Sequence, residues 1–168
     1  MAYTQQQRRE HIREIQRMLY ELSFFEKRIP FIVPDGIYGR ETALAVKTFQ
    51  QIYGLRPTGE VNHATWEMLA AEHLDKIRRE PASLDLFPKD RDHIGKGDRG
   101  IEVYAVQALL AALADVFGNL AAPEVTGLYD SETERAVGEF QSIGLRPVTG
   151  QTDRETWNLL AAAAENRR

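Results

Sequence analysis

Tyr38, Thr42 and Gln50 return 91 positions later as Tyr129, Thr133 and Gln141. They lie within two similar stretches, PDGIYGRETALAVKTFQ at 34–50 and VTGLYDSETERAVGEFQ at 125–141. A phenol, a hydroxyl and an amide can lie against a sugar ring and hydrogen-bond to sugar hydroxyls or peptide amides, which is the chemistry of recognition rather than of bond cleavage. Each also has a packing use: the ring can cover a turn, the threonine can cap locally, and the glutamine can satisfy backbone groups of the next loop. Beside them are positions where the copies differ: Asp35/Thr126, Gly39/Asp130 and Arg40/Ser131. Tyr53 has no counterpart if QQIYGL has shortened to QSIGL. A turn that leads into a helix N-terminus beside Arg40 suits an anionic group, whereas Asp130 would repel one. The candidate ligand contacts are therefore Asp35, Tyr38, Arg40, Thr42, Gln50 and Tyr53 in the first copy, and Tyr129, Thr133 and Gln141 in the second.

Other chemistries find little support. The chain has no cysteine, which removes disulfides, thiolate nucleophiles and cysteine zinc sites together. The histidines, His11, His63, His73 and His93, are scattered, none at the i, i+4 spacing of a helical metal pair, and read as solvated surface residues. No metal site and no cofactor is expected. There is no HExxH and no GxSxG. The 25 acidic residues could supply a carboxylate pair, but two small helical units use nearly all the chain and leave little room for a catalytic cleft. No catalytic residue is assigned. A net charge of -4 argues against nucleic acid as a partner. No run approaches the roughly 20 apolar residues of a membrane span, and MAYTQQQRREHIREIQRML has no signal-peptide core.

The elements that must position these residues repeat as well. The same offset pairs Ile12, Ile15, Gln16, Leu19 and Leu22 with Val103, Val106, Gln107, Leu110 and Leu113, so each copy opens with an amphipathic helix. A second helix follows a tight turn at Gly36 or Gly127. It should be capped at Gly39 or Asp130 and end at Gly54-Leu55 or Gly144-Leu145 with the glycine left-handed. On this alignment one residue is lost before Gly144 and one gained at Val148. Asn62 and Asp153 then cap a third helix carrying Trp66 and Leu69, or Trp157 and Leu160, and the first copy's third helix runs on towards Pro81. Phe49/Phe140 and Trp66/Trp157 are the expected core centres. The expected fold is all-α: two tandem three-helix bundles, 1–80 and 97–168, joined by an ordered connector, 81–96. Leu84, Leu86, Phe87 and Ile94 should dock this region against the modules and fix their orientation.

The order DGIYGRETALAVKTFQQIYGL...TGEVNHATWEML, with its copy TGLYDSETERAVGEFQSIGL...TGQTDRETWNLL, resembles the bacterial peptidoglycan-binding domain, a small three-helix module often attached to cell-wall hydrolases. GDRG at 97–100 is similar to that family's usual lead-in, which the first copy replaces with TQQQRRE. The resemblance implies non-catalytic binding of peptidoglycan, glycan or stem peptide, at the bacterial cell wall or in a spore or phage particle. A wall hydrolase would be a fitting protein partner. Two other readings follow from the same residues: an assembly scaffold that keeps the fold without wall binding, and the targeting portion of a longer hydrolase.

Overall fold

A computed structural model describes residues 4–78 and 86–166. The described residues form six helices and one minimal sheet: α1 (Gln5–Ser23), α2 (Arg40–Ile52), α3 (His63–Arg78), β1 (His93–Ile94), α4 (Ile101–Ala114), α5 (Ser131–Ile143), β2 (Thr152–Asp153) and α6 (Arg154–Glu165). The contacts divide the chain into unit 1, Met1–Lys76, and unit 2, Ile77–Arg168.

In unit 1, Thr4 and Gln7 cap α1 reciprocally, which lets a polar sequence begin a helix. Ile15, Leu19 and Leu22 of α1 meet Ala45, Val46 and Phe49 of α2, with Leu69 of α3 and the loop residues Ile29 and Ile32 completing the core. Phe49 is fully buried, worth roughly 1.5–3 kcal/mol relative to exposure. Asn62 Oδ1 accepts the Thr65 N–H at 2.9 Å and so starts α3.

Unit 2 repeats this plan with Val103, Val106 and Leu110 of α4, Val137 and Phe140 of α5, and Trp157 and Leu160 of α6, all buried. The described part of the connector belongs to this unit. Phe87 is buried edge-on against Trp157, at 5.9 Å and 69°, with the Arg154 guanidinium 4.4 Å from its ring centre. Ile94 is buried where β1 pairs antiparallel with β2, Ile94 opposite Thr152 and His93 opposite Asp153. Leu86 is exposed, and Leu84 and Pro81 lie outside the described residues.

Three expectations are corrected. Trp66 is only half-buried at the edge of the core, stacked on His11 at 4.7 Å, whereas Trp157 is central. His73 is not a solvated residue, its Nε2 lying 2.5 Å from Oε2 of the buried Glu21, whereas His11, His63 and His93 are exposed, His11 with its ring stacked on Trp66. Nor do the copies differ by a compensated deletion. Gly54 is left-handed at φ 69°, but in unit 2 the left-handed residue is Leu145 at φ 53°, with Gly144 at φ -79°. The closing bonds match residue for residue, Leu55 N–H to Gln50 O at 2.8 Å and Arg146 N–H to Gln141 O at 2.9 Å. The offset of 91 therefore holds throughout. Hydrogen bonding keeps the helix end in register even though leucine replaces glycine at the strained position.

Candidate functional site

Two buried glutamines in each unit shape the surface around the second helix. The Gln16 amide nitrogen faces Asp35 Oδ1 (2.9 Å), Ile37 O (3.1 Å) and Thr42 Oγ1 (3.0 Å), and its oxygen accepts from Gly36 N–H (2.8 Å). Gln107 does the same at Leu128 O (2.9 Å), Thr133 Oγ1 (3.0 Å) and Gly127 N–H (2.8 Å). Each one holds the turn before the second helix. At that helix's other end, the Gln50 amide nitrogen faces Glu60 O (2.9 Å) and Thr65 Oγ1 (3.0 Å), and its oxygen takes Gly59 N–H (2.9 Å). Gln141 matches it at Gln151 O (2.9 Å), Thr156 Oγ1 (3.3 Å) and Gly150 N–H (3.0 Å). The identical pair Gln16/Gln107, set among the apolar positions of the first helix, was the signal for a buried role, but sequence reasoning did not name it among the functional residues.

These bonds place the expected contacts. Gln50, Gln141, Thr42 and Thr133 are buried and spent on the chain's own turns. The tyrosine hydroxyls also close the module, Tyr38 onto Gly59 O and Tyr129 onto Gly150 O, each at 2.8 Å. Tyr129 is fully buried, so its ring offers no face to a ligand, and burial pushes its phenol pKa well above the ordinary value. Tyr38 remains partly exposed. Tyr53 ends α2 with its ring 4.5 Å from Phe49, and its pKa is pushed up to about 12 by burial and then by Glu72.

The difference between the tyrosines has a cause in the lead-in. In unit 2, residues 97–100 run beside the turn: Gly97 N–H donates to Tyr129 O at 2.8 Å and Tyr129 N–H to Asp98 O at 2.9 Å. In unit 1 the matching residues are helical, because α1 starts five positions earlier than α4 on the offset of 91. Among the described residues no backbone bond is made to Tyr38 N or O.

Asp35 and Arg40 are exposed at the turn. Asp35 Oδ1 accepts the Ile37 N–H at 2.8 Å, and that bond, followed by the Gln16 amide, holds its pKa below the usual carboxylate range. The starts of α2 and α5 differ in one respect. Gly39 caps α2 without any side-chain bond, whereas Asp130 Oδ1 accepts both the Thr133 N–H (2.8 Å) and hydroxyl (2.9 Å). Among the described residues the start of α2 thus has no side-chain cap and carries the exposed Arg40 as its first residue, while a carboxylate caps the matching position in unit 2.

Among the described residues no group of three or more His, Cys, Asp or Glu could hold a metal ion, and no helix is long and apolar enough to cross a membrane. What the fold defines is a pair of small helical modules whose turns are held by matching buried glutamines. The model of the family described as "Putative peptidoglycan binding domain" matches residues 8–69 and 99–160, two spans related by the same offset of 91. The chain belongs to this family, whose module is a binding domain and not a catalytic one. No curated protein and no solved structure matches the chain significantly.

Proposed function

We propose that the chain binds bacterial peptidoglycan non-catalytically, with unit 1 carrying the principal site at the start of α2. The observation behind this reading is the contrast between Gly39 and Asp130. The free helix start in unit 1, flanked by Arg40 and held in shape by Gln16, suits a carboxylate of a muramyl group or stem peptide, and Tyr38 gives a partly exposed ring at its border. Unit 2 keeps the turn but places its own carboxylate there, so its contribution is weaker or directed at a neutral part of the polymer. A second contact on a repeating lattice adds avidity where the spacing allows. The protein accordingly acts at the cell wall, with spore or phage-like particles as settings in which a wall-binding chain also works, and a wall hydrolase is a fitting partner.

Co-sedimentation with purified insoluble peptidoglycan tests the site. Arg40→Ala should lower the bound fraction several-fold while Ser131→Ala leaves it unchanged. Equal retention of both variants would remove the assignment to α2. Incubation with a peptidoglycan suspension should leave its turbidity constant; clearance would contradict the non-catalytic reading.

A further inference from the structure

In unit 2 one segment of the chain, residues 87–100, lies over a continuous face made by Tyr129, Thr152 and Trp157. Phe87 packs on Trp157, Ile94 pairs with Thr152, and Gly97 and Asp98 bond to the backbone of Tyr129. Under this cover all three residues are at most 1% exposed. Their counterparts in unit 1 are Tyr38, Val61 and Trp66, and all three are partly exposed. Residues 97–100 correspond to residues 6–9, which in unit 1 belong to α1, started by the Thr4–Gln7 capping box, and so follow a different course.

The unit 1 face keeps the features its twin uses. Val61 makes no backbone hydrogen bond among the described residues, nor does the Tyr38 backbone, so two edge positions present unpaired N–H and C=O groups. Beside them is a hollow of about 240 Å³ lined by Val61, Asn62, His63, Trp66 and the His11 ring, which stacks on Trp66 and leaves the rest of the indole to the hollow. That is below the roughly 300–1,000 Å³ of small-molecule pockets and suits a single side chain. His63 stands where Arg154 stacks over Phe87, so an imidazole can replace the guanidinium as the lid on an aromatic ring.

We infer that this face of unit 1 is a docking site for an extended segment of another protein, added as a short antiparallel strand along Val61 with an aromatic side chain seated on Trp66. The occupant's chemistry is read from unit 2, where the same surface holds an L-polypeptide with an aromatic anchor and, seven residues on, a branched aliphatic residue at the paired edge. Backbone bonds supply the pairing and the Trp66 hollow supplies selectivity. This site borders the helix start at Gly39, sharing Tyr38 with it, and stands whether or not that start binds peptidoglycan.

The probe is the synthetic peptide LFPKDRDHIGKG, residues 86–97, added to the full chain and followed by NMR. Saturable shifts are expected at the Val61, Asn62 and Trp66 amides and at the Trp66 indole, with the Trp157 indole unmoved. Replacing the phenylalanine of the peptide by alanine leaves the protein untouched and should weaken binding about tenfold, as should Trp66→Ala in the protein. Absence of saturable shifts at millimolar peptide would overturn the inference, as would equal binding of the alanine peptide. Shifts confined to Trp157 would show displacement in unit 2 and equally refute it. A soluble stem peptide that produces the same Val61 and Trp66 shifts while the 12-residue peptide does not would reassign the face to the wall polymer.

Discussion

Gly39→Asp should make the protein more stable and a weaker wall binder at once. The backbone at Gly39 (φ -95°, ψ -169°) nearly coincides with that at Asp130 (φ -92°, ψ -173°), and an added Cβ meets nothing within 4 Å. The new carboxylate can therefore accept the Thr42 N–H as Asp130 accepts that of Thr133. An Asp cap improves on Gly by only a few tenths of a kcal/mol. Restricting the unfolded chain adds about 0.4–1 kcal/mol, for a gain of about 1 kcal/mol. Calorimetry of the full chain should show Tm rising by about 2–8 °C, towards the lower end if both units unfold as one. The same carboxylate fills the proposed anion site and should reduce co-sedimentation with peptidoglycan several-fold. Gly39→Asn supplies a cap without the charge and should raise stability while retaining binding. A Gly39→Asp variant with unchanged or lower stability would refute the capping argument. Equal binding by the Asp and Asn variants would refute the electrostatic one.

Leu145 is left-handed and about half exposed, so Leu145→Gly should stabilise unit 2 by up to about 1 kcal/mol in urea unfolding, the relief of strain exceeding the added chain entropy. Gly54→Ala, where an added Cβ finds open space but φ is 69°, should cost about 1 kcal/mol. Gln107→Ala strands the buried Gly127 N–H and leaves the Leu128 carbonyl only the Thr126 hydroxyl at 3.4 Å, and should cost about 2–5 kcal/mol in the same assay. The Tyr20 hydroxyl is buried with no hydrogen-bond partner among the described residues, so Tyr20→Phe should be neutral or stabilising by up to about 1 kcal/mol. Asp35 and Asp130 have folded pKa values below their unfolded ones, so their contribution is present above about pH 4 and lost as pH falls through the folded values. Acid titration of unfolding should show that loss, and Asp130→Asn should make it smaller.

The helices were legible because both signals that define them are local: apolar spacing, as in Ile15, Leu19 and Leu22, and caps such as Asn62 and Asp153. The helix end at Gly144 was misread because a glycine was matched to a glycine. The register is set by the bonds to Gln50 O and Gln141 O, which composition does not reveal. Trp66 and Trp157 look equivalent in sequence, yet their burial depends on Phe87, a residue 70 positions before Trp157 that covers only one of them. Tyr38 and Tyr129 likewise differ in exposure despite sharing their hydroxyl bond, because Gly97 and Asp98 run beside only the second. Of the expected site, Asp35 and Arg40 are exposed and Tyr38 and Tyr53 partly so. The threonines and glutamines shared between copies are what hold the turns in place. Shared polar identity marked the scaffold, and the proposed binding site rests on the differences between the copies.

Binding of the folded, unmodified chain to insoluble peptidoglycan, measured as a sedimentation isotherm against a matched polysaccharide control, is the most direct measurement of the central proposal. Saturable co-sedimentation with peptidoglycan alone, weakened by Arg40→Ala, is the result expected. Sedimentation no greater than that with the control, with both units folded, would contradict wall binding by this chain.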